Sequence, residues 1–222
     1  MKSDDTKNSG NEIINIRDYF NIILIGDEYV GKTSILEKYI NNSFNSDEQN
    51  KNLIEVYKKQ IFLYQNSYKL KFWDITKFIG KNDISELDMF YNCDGIIFVS
   101  SYDNQSSLDN INIWYQLLIE YMDLSMKEMI WFINKKDLEE GKILKQKDIE
   151  KKSKDLQLEY YEVSAKSGEN IDKGIENMLK KLVKRCNDRS LELNTSANDS
   201  NANSGKSKKN HKKNNGGSCI II

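Results

Sequence analysis

From residue 19 to residue 25 the chain reads Tyr-Phe-Asn-Ile-Ile-Leu-Ile, a nearly unbroken apolar run that stops at Gly26. A run without alternation is what a strand buried on both faces of a parallel sheet requires. Past Thr33 the period changes, and Ile35, Leu36, Tyr39 and Ile40 recur at helical spacing. Two more strands are predicted over 54–64 and 68–73, with Gln65-Asn66-Ser67 as a short polar hairpin turn between them. Buried strands follow at 95–99 and 129–133, and Ile111, Trp114, Leu117, Leu118 and Tyr121 mark an amphipathic helix between them. A last strand at 160–163 precedes a helix with Ile171, Ile175, Met178, Leu179, Leu182 and Val183 on one stripe. Strands alternating with helices around one hairpin predict an α/β fold. Its sheet is six-stranded, mixed and mostly parallel, with helices on both faces. Ligands of such sheets bind beyond the carboxyl ends of the strands.

The pattern is confined to the middle of the chain. Residues 1–17 are polar and are expected to be flexible, and from Asn187 the sequence passes into Asn, Ser, Gly and Lys. Such a composition offers too little apolar surface to offset the entropy of ordering, so 187–222 is predicted to be a disordered tail behind one domain at 18–186. A length of 222 residues fits that arrangement and is too short for two ordinary domains. The net charge of −1 leaves no excess of Lys and Arg to neutralise nucleic-acid phosphates. Cys93, Cys186 and Cys219 are scattered, without the close spacing of a zinc site or a disulfide framework, which implies a reducing compartment. The polar N-terminus lacks a secretory signal, and no apolar stretch is long enough to span a bilayer. Proline is absent while Asn and Lys abound, so a single Asn or Lys carries little information here.

The candidate chemistry begins where the first strand ends. Gly26-Asp27-Glu28-Tyr29-Val30-Gly31-Lys32-Thr33, followed by Ser34, fits the phosphate-loop pattern of a glycine, four residues and Gly-Lys-Thr. Backbone N–H groups of such a loop encircle a β-phosphate. Gly31 permits close approach, Lys32 brings charge to the β and γ oxygens, and the Thr33 hydroxyl binds Mg²⁺. The helix that starts here aims its positive end at the anion.

Asn134-Lys135-Lys136-Asp137 and Ser164-Ala165-Lys166 stand at the ends of the last two predicted strands. With these motifs in order behind the phosphate loop, the chain resembles the Ras superfamily of small GTPases over about residues 17–185. Gly26-Asp27, Trp73-Asp74 and the long polar tail look most like its Rab branch, and no extra helical insert appears between Asp137 and Ser164 as in the Rho branch. A single cysteine near the C-terminus, where many Rabs have two, leaves a Ras-like assignment open. The resemblance implies the P-loop GTPase fold and a site for GTP or GDP with Mg²⁺. In it Asp137 would accept two hydrogen bonds from the guanine N1 and N2 edge, and the Ala165 amide would meet O6. Lys135 would lie along the base and Phe44 would set its ring against it, while Thr33 and Asp74 would hold the metal. Exchange factors and effectors are expected at the switch regions, around 46–57 and 74–91, on a monomeric protein.

The switch regions depart from the family. Counted without gaps, Lys51 replaces the threonine of the first switch, and no threonine lies between Thr33 and Thr76. The second switch, ordinarily Asp-x-x-Gly-Gln, reads Asp74-Ile75-Thr76-Lys77-Phe78. The glycine that senses the γ-phosphate is thus Lys77, and the glutamine that orients water is Phe78, which leaves no catalytic residue to assign. Glu28 adds a carboxylate beside the γ-phosphate, and Tyr29 is bulky for its place. Slow hydrolysis is one implication; compensation by the charge of Lys51 or Lys77 is another. A membrane-tethered switch in traffic or signalling is expected, with a non-cycling interaction module as the alternative. The tethering rests on the ending Cys219-Ile220-Ile221-Ile222, a prenylation signal at which geranylgeranyl fits better than farnesyl. Lys206, Lys208, Lys209, Lys212 and Lys213 would add attraction to anionic lipid on the cytoplasmic face of a membrane.

Overall fold

A computed structural model describes residues 19–45, 52–76 and 88–203 of the chain. Asn15–Cys186 form one compact unit. Its strands are β1 (Tyr19–Gly26), β2 (Ile54–Leu63), β3 (Asn66–Ile75), β4 (Gly95–Ser101), β5 (Glu128–Asn134) and β6 (Glu159–Glu162). The described helices are α1 (Lys32–Asn41), α2 (Asp88–Tyr91), α3 (Gln105–Asp109), α4 (Ile111–Tyr121), α5 (Gln146–Leu156) and α6 (Ile171–Asn203). The six strands form one sheet in the order β2-β3-β1-β4-β5-β6. All neighbours are parallel except the β2–β3 hairpin. This is the mixed, mostly parallel α/β sheet that the hydrophobic pattern predicts.

Alternation along the central strands divides the core into two layers. Ile22 and Leu24 of β1, Phe72 of β3, Ile97 and Val99 of β4 and Phe132 of β5 pack on one side with Ile35 and Leu36 of α1 and the stripe Ile171, Ile175, Met178, Leu179, Leu182 and Val183 of α6. Ile23, Ile25, Ile96, Phe98, Trp131 and Ile133 pack on the other side with Leu108 of α3, Trp114 and Leu118 of α4 and Ile149 of α5. The indole N–H of the buried Trp131 donates to Ser100 Oγ at 2.8 Å, so this apolar layer hides no unmet donor there. Cys93 is buried, donates to the Phe90 carbonyl at 3.3 Å, and has its thiol pushed up to about 11 by burial. Cys186 packs at the margin of the first layer.

Three details differ from the sequence expectation. The hairpin turn is Tyr64-Gln65 rather than 65–67, with φ of 49° and 66°, and Leu63 pairs with Asn66. Two left-handed residues make the two-residue turn whose twist matches that of the flanking strands. Asn66, a turn-former by type, instead opens β3. α5 had no sequence forecast because Ile149 is its one fully buried residue and its remaining positions are largely Lys, Asp, Glu and Gln. Lastly, α6 runs through Asn203, past the composition change at Asn187. The next glycine after Gly174 is Gly205 and proline is absent, so no residue of the intervening stretch breaks the helix by type. Of the second compact unit, Met1–Ile14 with Asn187–Ile222, the structure describes the helical backbone of 187–203. Among the described residues no helix is long and apolar enough to cross a membrane.

Gly174 lets α6 lie close on β5, since a Cβ there would stand 2.4 Å from Phe132 Cε1 and 2.8 Å from Cζ. At Gly95 the one close approach of a Cβ would be to the flexible thioether of Met178, at 2.8 Å, with the Glu128 carbonyl oxygen at an ordinary 3.6 Å. Gly174→Ala is therefore expected to lower the unfolding free energy by about 1–3 kcal/mol, despite alanine's better helix propensity, whereas Gly95→Ala should cost less. Urea denaturation of the two variants against wild type measures the order.

Candidate functional site

The loop 26–31 leaves the carboxyl end of β1, which lies between β3 and β4 in the sheet. The chain can turn there because Gly26 has no side chain: a Cβ would stand 2.2 Å from the Val99 carbonyl oxygen. At its far end Gly31 has φ of 90°, a left-handed backbone, and a Cβ would meet Asn134 Nδ2 at 2.4 Å. Between them Val30 is fully buried, whereas Glu28 and Tyr29 are exposed. Tyr29 adopts φ of 64° and leaves its side chain 68% exposed, so its bulk is directed outward rather than into the loop.

Lys32 opens α1 and is 4% exposed. Its Nζ donates to the carbonyls of Gly26 at 3.0 Å and Asp27 at 2.6 Å. A buried ammonium is costly unless hydrogen bonds replace its hydration, and the loop carbonyls supply them. One residue on, the Thr33 hydroxyl donates to Asp74 Oδ2 at 2.5 Å, with Asp74 fully buried on β3. Thr33 and Asp74, far apart in sequence, are thus in direct contact, and Ser34 follows half-buried.

Asp27 has a role that the sequence did not disclose. Its Oδ2 accepts from Asn110 Nδ2 and its Oδ1 from Trp114 Nε1, each at 2.8 Å. Both carboxylate oxygens of the loop are therefore tied to the start of α4. Trp114 fits the apolar stripe of that helix so well that its indole N–H gave no separate signal.

The second half of the site gathers at the ends of β5 and β6. Asn134, 2% exposed, donates through Nδ2 to the Val30 carbonyl at 2.9 Å and accepts at Oδ1 from the Ala165 amide at 3.0 Å. The Ser164 hydroxyl donates to Asp137 Oδ1 at 2.6 Å and accepts from the Ser167 amide at 3.0 Å, which fixes the orientation of the exposed Asp137 carboxylate. Lys135 has a left-handed backbone, φ of 65°, and pairs with Asp103 at 2.8 Å, while Ser101 Oγ donates to the other Asp103 oxygen at 2.7 Å. Partial burial works against the ionised form of Asp103. The hydrogen bonds from Lys135 and Ser101 outweigh it and hold the carboxyl below its ordinary value.

The fold brings Gly26, Val30, Gly31, Lys32 and Thr33 into one frame with Asp74, Asn134, Lys135, Asp137, Ser164 and Ala165. Phe44 stands past the end of α1 with its ring 43% exposed, and Lys166 is exposed. Lys51, Lys77, Phe78, Cys219 and the lysines at 206–213 lie outside the described residues, as do 46–51 and 77–87 of the expected effector segments. Chemically, one end of the frame offers a glycine-bearing loop, a buried ammonium and a helix N-terminus, which together suit phosphate oxygens. The other end offers an oriented carboxylate, which suits a base edge with two donors.

A sequence profile of the Ras family matches residues 21–184. The chain is 27% identical to the Ras-related protein RabG2 of Dictyostelium discoideum over 169 residues, which cover 75% of this chain and 84% of the relative. It is 26% identical to the GTP-binding protein ypt3 of Schizosaccharomyces pombe over 175 residues, covering 78% and 80%. It is 28% identical to human Ras-related protein Rab-3D over 180 residues, covering 80% of each chain.

Asn134→Ala removes both hydrogen bonds at once and strands the Val30 carbonyl and the Ala165 amide in the interior. The variant is expected to lose about 2–4 kcal/mol of unfolding free energy in urea. A loss within a few tenths of wild type would show that the two segments do not depend on this side chain.

Proposed function

The chain belongs to the Ras family, with Rab proteins among its relatives, and on that premise we propose that it is a membrane-tethered guanine-nucleotide switch with slow GTP hydrolysis. The observation that carries the reading is the bridge through Asn134, which ties the loop at Val30 to Ala165, next to the Ser164 that holds the Asp137 carboxylate. Lys32 would exchange its loop carbonyls for β- and γ-phosphate oxygens, and the amides of 28–33 would close around the β-phosphate. Asp137, held by Ser164, would take the guanine N1 and N2 donors. The Ala165 amide already donates to Asn134, so guanine O6 would share it in a three-centre bond. Lys135, held by Asp103, would support the base plane. Phe44, Glu28, Tyr29 and Lys166 would form the exposed rim.

Mg²⁺ fits the donors present: Thr33 and Asp74 are hard oxygen ligands already in contact, and phosphate and water would complete the coordination. Held by Thr33 and Asp74, such an ion would supply positive charge against the phosphates. Slow turnover follows from Lys77 and Phe78 in place of the γ-sensing glycine and the water-orienting glutamine, and from Lys51 in place of threonine. Phenylalanine can neither donate to nor accept from water, and positioning that water is the step for which neither Lys51 nor Lys77 offers a substitute. The same substitutions favour, as a second reading, a module that binds nucleotide without cycling. Tethering is assigned to a geranylgeranyl group on Cys219, reinforced by the lysines at 206–213, at the cytoplasmic face of a membrane. Exchange factors and effectors would meet a monomer at its switch segments.

Calorimetry with Mg²⁺ present is expected to show guanosine phosphates preferred over adenosine phosphates by on the order of 10³ or more, a preference lost in Asp137→Ala. Equal affinities would overturn the nucleotide assignment. In single-turnover hydrolysis run beside human Rab-3D, the chain is expected to be at least about tenfold slower. A matching rate would overturn slow hydrolysis while leaving guanine binding intact.

A further inference from the structure

Alternate residues of β2 and β3 share a face of the sheet. One face, with Tyr57, Ile61, Tyr68, Leu70 and Phe72, belongs to the packed core on the side of α1 and α6. On the other face Val56 stands opposite Trp73, Lys58 opposite Lys71, Gln60 opposite Lys69 and Phe62 opposite Ser67. β1 adds Tyr19 beside Lys69 and Asn21 beside Lys71. Lys58 and Lys69 are exposed. Toward the turn, Phe62 is 78% exposed, Tyr64 64% and Tyr19 51%. None of the residues that register on this face of β1, β2 and β3 is acidic.

This arrangement is costly in isolation. Lys58 directly across from Lys71 is a like-charge cross-strand pair, which destabilises a sheet, and Lys71 finds partial relief over the Trp73 ring at 3.8 Å. Lysines on an edge strand do discourage sheet-to-sheet pairing, but the exposed rings of Phe62 and Tyr64 beside them work against that purpose. Aromatic rings at a projecting turn with lysines behind them match the chemistry of a bilayer interface, where rings sit at headgroup level and cations meet anionic lipid.

We propose that this face of the β2–β3 hairpin is a membrane-docking surface within the folded domain. Lys58, Lys69 and Lys71 attract anionic headgroups, while Phe62 and Tyr19 enter the interface from this face and Tyr64 enters it from the turn. The rings stand exposed toward the hairpin end of the sheet, Phe62 on β2, Tyr19 on β1 and Tyr64 on the turn, which suits a fluid surface better than an acidic protein partner, whose anchors need pockets. The nucleotide frame begins at Gly26, seven residues along β1 from Tyr19, or about 23 Å at the rise of a strand. Docking by the hairpin end therefore keeps the phosphate loop at the far end of β1 from the lipid. The surface is separate from the lipid anchor assigned to Cys219 and does not require it.

The test uses the full-length, unprenylated chain and sedimentation with phosphatidylcholine vesicles containing about one third phosphatidylserine. Phe62→Ser with Tyr64→Asn is expected to lower the partition coefficient about tenfold, asparagine being chosen because it tolerates the left-handed turn. Lys58→Gln, Lys69→Gln and Lys71→Gln together should lower it on the order of 100-fold at low salt and flatten its salt dependence. Nucleotide affinity should stay at the wild-type value in both variants, since every altered side chain lies away from the site, and the melting temperature of the lysine variant should not fall, since the Lys58–Lys71 like-charge pair is removed. Wild-type partitioning by both variants would overturn the proposal and assign all lipid affinity to the C-terminal lysines. Equal binding of the unaltered chain to pure phosphatidylcholine would overturn the role of charge.

Discussion

Two hydrogen bonds of one buried amide set the geometry on which the rest of the site depends. Asn134 donates to the loop after β1 and accepts from the loop after β6, so segments more than a hundred residues apart in sequence share a single side chain. The fit extends to Gly31, where the amide nitrogen occupies the space that any β-carbon would need. An amide donates at one end and accepts at the other without carrying a titratable proton. An aspartate at this place would face a carbonyl with a second acceptor, and a leucine would satisfy neither neighbour. Asn134 is thus a construction joint between the two loops.

Around this joint the loop carries its own supports. Asp27 is held at both oxygens from the start of α4, Val30 is sunk in the core, and Lys32 is buried against loop carbonyls. Charges enclosed in this way persist only when their hydrogen-bonding capacity is met. The loop's shape therefore follows from internal contacts, and a phosphate would take over a geometry that already exists. Preorganisation of this kind reduces the ordering cost of binding.

Much of the frame was legible in the sequence, because buried parallel strands write themselves as unbroken apolar runs and because the phosphate-loop spacing is stringent. The fold sets Thr33 against Asp74 and Ser164 against Asp137. What the sequence hid has definite physical causes. Trp114 contributes apolar bulk and a polar N–H at once, and hydrophobic spacing reports only the former. Asp103 looks like an ordinary loop aspartate until the fold sets it beside Lys135. The turn at Tyr64-Gln65 lacks the glycine or asparagine that advertises left-handed backbone, and the Asn66 beside it pointed one residue too far along. α5 owes its place to a single fully buried isoleucine in a lysine-rich segment, too faint a period to stand out. The hydrogen bond of the Ala165 amide to Asn134 belongs to three-dimensional geometry alone.

The outward pose of Tyr29 bears on how such a protein changes over generations. Since the loop is fixed at Asp27, Val30 and Lys32, positions 28 and 29 hang from a path that other residues define. Selection that relaxes on turnover can therefore rewrite this exposed edge freely, while the anchors beneath it remain under constraint. A lineage can in this way drift from timer toward scaffold without first passing through an unfolded ancestor.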